Sequence, residues 1–219
     1  ETLEKVQACF GPLPKLMPGS GLTVDLAGPN PIGHGAIMYG RWHDWDGVAL
    51  DEAPLLYHGV DTPSAQLMEA MSAEVLKARD AIAKARPDLA LRDVKSIQDF
   101  LVASYPVQIQ DPSTLQSCLR SNTAFNGLKH PMKKTDDGKV VPDFGYRYFT
   151  EDLPMGLIPL RGIAQLAGVE TPEIDKVILW MQEKTGKEFM TDGQLNGKDI
   201  GETRAPTRFG ITSMEQLIW

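Results

Sequence analysis

Paired cysteines are missing from this chain. Its 219 residues contain only Cys9 and Cys118. Neither belongs to a CxxC, which excludes zinc-ribbon and thioredoxin-type motifs. Two thiols in a chain this long fit a reducing compartment, so the expected location is cytoplasmic, with a single disulfide left open. Long apolar runs are missing too: none approaches the roughly 20 residues that span a bilayer. The opening ETLEKVQ has neither the basic nor the apolar region of a signal peptide, and it lacks an initiator Met. The chain therefore reads as an internal piece of a longer protein or a processed product. Positive charge is in deficit, 22 Lys and Arg against 29 Asp and Glu, for a net charge of −7. That argues against non-specific contact with nucleic acid or anionic membranes, while leaving room for a local cationic site for a small anion. GxGxxG after a strand, P-loop, HExxH and GxSxG are all absent, and no His, Cys or carboxylate set has metal-site spacing. The chain thus has no recognisable nucleotide-phosphate cradle, and no metal is expected.

What is present is an ordinary globular composition, 42% hydrophobic and 23% charged, enough for one domain over residues 1–219. The first 60 residues are rich in Gly and Pro. They read as a helix over Thr2–Phe10, then irregular chain, then a short helical piece around Ala36–Trp42. Thr62 as N-cap and Pro63 open the first clear helix. Its stripe of Leu67, Met71, Val75, Ala78 and Ile82 is spaced 4, 4, 3 and 4, and Pro87 stops it. Asp93 opens a second helix with Val94, Ile97 and Leu101 on one face. Asp111-Pro112 opens a third, with Leu115, Cys118 and Leu119 inward. Residues 126–146 lose helical periodicity and read as a long ordered excursion, with a small hairpin at Asp137-Gly138. A helix from about Asp152 to Ala167 ends at Gly168 and is kinked or split by Pro159. Another starts at Thr171-Pro172 with Ile174, Val177, Ile178 and Met181 inward. Thr212 to Glu215 makes a capping box for a last short helix. The sum is an all-α domain with long loops.

Two segments carry chemistry. Gly28–Trp45, GPNPIGHGAIMYGRWHDW, sets His34 between two glycines. Gly33 and Gly35 permit unusual backbone conformations and keep bulk away from the ring. An imidazole so placed can exchange a proton with a substrate near neutrality; the bland alternative is a loop histidine. The second segment, DFGYRYFTEDLPMGL over 143–157, clusters Arg147, Glu151 and Asp152 where a loop enters a helix. Capping and a surface ion pair are the simple readings there.

Together these segments resemble the opine dehydrogenases, in particular the octopine dehydrogenase-like enzymes. The resemblance continues through GRWHDWDG (40–47), EAPLLYHGVD (52–61), AGVETPEIDKVILWMQEKTGKEF (167–189) and GKDIGETRAPTRFG (197–210). It implies a helical C-terminal domain of the 6-phosphogluconate dehydrogenase C-terminal-like type. Such a domain is normally attached to an N-terminal Rossmann domain that binds NAD(H) or NADP(H), and here that domain is absent. The implied reaction condenses an α-keto acid, usually pyruvate, with an amino acid and reduces the imine. The implied partners are these small molecules and the chain's own Rossmann domain. One departure is visible: Gly35 follows His34 where the family usually has Pro.

The resemblance assigns His34 as the catalytic acid–base and Asp152 as its carboxylate partner, with Glu151 as the alternative partner on the substrate side. Arg147 is the candidate anion contact, for the keto-acid carboxylate or the cofactor pyrophosphate. Trp42, with Trp45, is a candidate to line the substrate pocket, packing being the other use of a tryptophan. His43, His58 and His130 read as surface or structural, and Arg41 as a partner of Asp44 or Asp46. The chain alone is expected to fold without catalysing. The rival is a stand-alone helical binding domain without redox chemistry. A third reading is a ketopantoate reductase-like or glycerol-3-phosphate dehydrogenase-like enzyme.

Overall fold

The computed structural model describes residues 1–12, 15–89 and 91–218. The first three helices are α1 (Thr2–Phe10), α2 (Gly21–Ala27) and α3 (Asn30–Trp42). Helix α1 falls where its sequence places it and buries no residue. Helix α2 was expected to be irregular chain. Ser20 starts it by accepting from the Thr23 amide, which frees Thr23 and Leu26 to pack inward.

The centre of the fold is α4 (Thr62–Ala85) lying against α3. Its cap is Asp61, one residue before the expected Thr62, and the side chain accepts from the Ser64 amide. Leu67, Met71, Val75, Ala78 and Ile82 are buried as their spacing predicts. Helix α5 (Ile97–Ser104) begins at a Ser96 cap, later than the expected Asp93. Asp93 instead closes a 3-10 turn, and Val94 is buried just after it. Helix α6 (Leu115–Ser121) begins at a Thr114–Ser117 capping box, with Leu115, Cys118 and Leu119 inward. Cys9 and Cys118 are both free thiols. The excursion contains the expected hairpin, an antiparallel pair β1 (Met132–Lys134) and β2 (Val140–Pro142), with Lys133 opposite Val141.

The next stretch is segmented more finely than its sequence suggests: α7 (Arg147–Thr150), a π-helical turn over Leu153–Leu157, then α8 (Ile158–Leu166). In the π turn the Ile158 amide bonds the Leu153 carbonyl, one residue further back than in an α-helix. In that register the Pro159 nitrogen would face the Pro154 carbonyl but has no hydrogen to give. The Arg204 amide donates to that carbonyl instead, at 3.0 Å. Helix α9 (Pro172–Thr185) buries Ile174, Val177, Ile178 and Met181. Its Thr171 hydroxyl bonds Asp175 rather than capping. The cap comes from α4: the buried Glu74 carboxylate accepts from the Glu173 and Ile174 amides at 2.8 and 3.0 Å. Burial raises the Glu74 pKa, and these two amides oppose the rise. The last helix, α10 (Met214–Leu217), is capped by Ser213, one residue beyond the expected Thr212. Among the described residues no helix is long and apolar enough to cross a membrane.

Candidate active site

His34 is not on a loop. It sits in the second turn of α3, which runs over both neighbouring glycines instead of starting near Ala36. Neither glycine uses a left-handed backbone. Gly35 serves close packing: a Cβ there would lie 3.1 Å from Leu157 Cδ1 and 3.2 Å from Val177 Cγ1. At Gly33 a Cβ would meet only Ile97, at 3.9 Å.

The imidazole is 8% exposed. Its Nδ1 lies 2.7 Å from Asp152 Oδ2, and its Nε2 lies 2.9 Å from the Tyr57 hydroxyl. Tyr148 stacks on the ring at a centroid distance of 3.8 Å. With Asp152 ionised, the Nδ1–H donates to it, leaving Nε2 as the nitrogen that gives or takes a proton on the other side. Asp152 points inward from the residue just before the π turn. That turn is pinned against α3: a Cβ on Gly156 would fall 2.3 Å from Pro31 Cγ. Pro31 lies one turn before His34 and Leu157 of the same π turn packs on Gly35, so the turn meets α3 on both sides of the histidine.

A cavity of about 90 Å³ opens beside the ring, walled by Asn30, Tyr57, Phe100, Tyr105 and Phe125 together with aliphatic side chains. Besides His34, among the described residues no Asp, Glu, Lys or Arg side chain lines it. It has room for about three waters, enough for the reacting end of a substrate but not for a dinucleotide or a pyrophosphate. Burial raises the Tyr57 pKa, helped by Tyr148, Tyr105 and the Asp152 charge, so its hydroxyl keeps its proton. Tyr148 is raised by burial in the same way, while the Arg147 charge pulls it down.

The other sequence candidates separate. Glu151 faces out and pairs with Arg147 at 3.2 Å, with both side chains about 60% exposed. Of the two neighbouring carboxylates only Asp152 reaches His34. Arg147 stays outside the cavity, one residue from the Tyr148 ring, in a pair that solvent weakens. Trp42 does not line the cavity: it is buried in the core, where its Nε1–H donates to His130 Nδ1 at 3.0 Å. Arg41 lies over the Trp42 ring at 5.0 Å. His130 is buried and structural, its pKa lowered to about 4 by burial and the Arg41 charge. His58 donates to the Asn122 carbonyl, and His43 to the Tyr39 carbonyl on the surface. Sequence reasoning missed Tyr57 and Tyr148. Their only trace was membership of EAPLLYHGVD and RYFTED.

Comparison with known proteins places this chain in a family. The alpha-helical domain of the NAD/NADP octopine/nopaline dehydrogenases matches residues 19–185. The chain belongs to that family. It is 43% identical over 97% of its length to a tauropine dehydrogenase of Arabella iricolor, covering 54% of that protein. It is 42% identical over its whole length to an opine dehydrogenase of Haliotis discus hannai, again covering 54%. With an octopine dehydrogenase of Pecten maximus it shares 45% identity over 84% of its length, covering 46% of that protein. A structure of octopine dehydrogenase with NADH and L-arginine superposes over the whole chain with a TM-score of 0.93 at 40% identity, covering 54% of that chain. One with NADH and pyruvate gives 0.88 at 38%, covering 53%. The resemblance read from the sequence and the helical fold class are both borne out. The chain spans about half the length of the curated relatives it matches.

Proposed function

We propose that this chain is the proton-handling, substrate-side half of an opine dehydrogenase, which joins an α-keto acid such as pyruvate to an amino acid and reduces the imine. The observation that carries the reading is the buried His34–Asp152 pair, 2.7 Å apart, with the His34 ring on the wall of a cavity. Reductive condensation needs a group that protonates the carbonyl oxygen as it leaves as hydroxyl and takes a proton back in the oxidative direction. An imidazole held in one tautomer by a carboxylate suits both directions. The NAD(P)H cofactor named for the family supplies the hydride. The cavity does not fit it, so a Rossmann domain outside this chain would hold its phosphates.

Within the chain, His34 holds and moves the proton at Nε2, and Asp152 orients the ring. Arg147 is the anion contact: its exposed fork is free to exchange the weak Glu151 pair for a carboxylate or phosphate arriving from outside. Glu151 then tunes that contact and does not address the imidazole.

The test uses the full-length protein. Pyruvate and NADH are offered with a panel of amino acids, and opine formation is followed by NADH oxidation. His34→Ala is expected to cut turnover by about 10²–10⁴. Near-normal turnover in that variant refutes the assignment. The isolated 219 residues are expected to unfold cooperatively yet not oxidise NADH, and robust oxidation by them alone refutes the half-site.

A further inference from the structure

His34 presents only Nε2 toward the cavity, and Nε2 is already taken. The Tyr57 hydroxyl sits on it at 2.9 Å. The Tyr57 ring is held flat against Phe125, with centroids 4.1 Å apart and planes 24° apart. Tyr148 covers one face of the imidazole and Asp152 holds its far nitrogen. His34 and Tyr57 line the same cavity, and the direction in which Nε2 exchanges a proton is the one the Tyr57 hydroxyl occupies.

We propose that Tyr57 is a further catalytic residue of this site, a hydroxyl relay that carries the proton between His34 Nε2 and the oxygen of the condensing substrate. The proposal rests on the opine dehydrogenase reading above. The step balances as follows. In the dehydration of the carbinolamine formed from keto acid and amine, protonated His34 gives its Nε2 proton to the Tyr57 oxygen. Tyr57 gives its own hydroxyl proton to the leaving oxygen. The C–O bond breaks with its electron pair on oxygen, which departs as water, and the nitrogen lone pair closes the C=N bond of the iminium. His34 ends neutral and Tyr57 ends as it began. No free phenolate forms, in keeping with a buried hydroxyl whose ionisation is disfavoured. In the oxidative direction the same two protons return along the same path.

The experiment uses the full-length protein and Tyr57→Phe, which keeps the ring on Phe125 and removes only the hydroxyl. The relay predicts that kcat falls by about 10²-fold, the low end of general acid–base contributions. KM for keto acid and amino acid should stay within about 3-fold, and the thermal midpoint should be unchanged. Proton inventories in H₂O/D₂O mixtures should be curved for the wild type, with two protons in flight, and linear for the residual activity of the variant. That wild-type measurement stands even if the variant folds poorly. A kcat within about 3-fold of wild type, or a linear wild-type inventory, overturns the relay and puts the substrate oxygen directly on Nε2. His34→Ala in the same assay separates the two claims. If it cuts turnover by about 10²-fold or more while Tyr57→Phe stays within about 3-fold of wild type, only the relay fails. If His34→Ala is itself active, the parent reading fails with it.

Discussion

His130 should make this chain acid-sensitive by an amount that follows from its surroundings. The ring is 5% exposed, and Trp42 donates to its Nδ1, which must therefore be unprotonated. Burial first, and then the Arg41 charge, lower its pKa from 6.5 to about 4. In the unfolded chain the imidazole returns to about 6.5. Between those values the unfolded state binds more protons than the folded one, so stability falls as pH falls. The contribution is intact above about pH 6.5, declines below it and levels off near pH 4. At pH 5.0 roughly 1.5 pH units of that window have been crossed, worth about 2 kcal/mol at 1.36 kcal/mol per unit. For a chain of this size that is a drop of about 4–8 °C in Tm. His130→Gln keeps an acceptor for the Trp42 indole and removes the titration. Urea unfolding at pH 7.5 and pH 5.0 gives the stability loss for each protein. The wild type should lose about 2 kcal/mol more than the variant, because every other titrating group, the raised Glu74 included, is common to both. Equal losses in the two proteins would show that His130 is charged in the folded state, and the buried indole–imidazole account would fall.

Asp152→Asn in the full-length protein should lower kcat by about 10²-fold or more, since the amide no longer secures the Nδ1–H tautomer; Glu151→Gln should leave kcat within a few-fold, and the opposite ranking would transfer the partner role to Glu151. Gly156→Ala drives a Cβ into Pro31; a loss of about 1–3 kcal/mol in urea unfolding is expected, and an unchanged midpoint would mean that the π turn is not pinned there. Gly35→Ala should destabilise despite better helix propensity, because Leu157 and Val177 are fully buried and cannot retreat, whereas Gly33→Ala should be neutral or gain up to about 1 kcal/mol; equal effects would remove the packing argument. Glu74→Ala strips the start of α9 of its cap and strands the buried Ile174 amide; the expected cost is about 1–3 kcal/mol, and a silent variant would mean that solvent replaces the carboxylate.

The parts of the fold that were legible are those whose signal is local. The stripe from Leu67 to Ile82, the Asp137-Gly138 hairpin and the stop at Gly168 each depend on residues within one element, and each appears where expected. The boundary errors share a cause. Thr62 and Thr212 were expected as caps, but the adjacent Asp61 and Ser213 supply the bond, and the helices expected to open at Asp93 and Asp111 are capped three residues later, by Ser96 and Thr114. Within a few residues more than one Ser, Thr or Asp qualifies by type, and only the backbone trajectory chooses among them. Helix α2 was lost because four of the residues flanking it are Gly or Pro, which read as loop. The α9 cap had no local signal at all, because the capping carboxylate belongs to α4.

The site was legible in type and illegible in arrangement. Glycines beside His34 suggested a loop because glycine usually marks freedom of the backbone. Here Gly35 marks the opposite, a helix pressed so closely against its neighbours that a methyl group has no place. Glycine alone cannot distinguish those uses. The choice between Glu151 and Asp152 was equally closed to sequence, because adjacent residues on an α-helix differ by a rotation that spacing alone does not anchor. The π turn fixes that rotation, and its cause is scattered. Pro159 withholds a hydrogen, Gly156 accepts the contact of Pro31, and Arg204 satisfies the Pro154 carbonyl from a loop far along the chain. The His34–Asp152 pair is thus assembled beside a helix irregularity that no periodicity reports. Tyr57, on a loop between α3 and α4, completes it from a third segment. The residue that occupies Nε2 is the one with the weakest sequence signal: a lone tyrosine in irregular chain gains meaning only when folding brings its oxygen to a nitrogen 23 residues away.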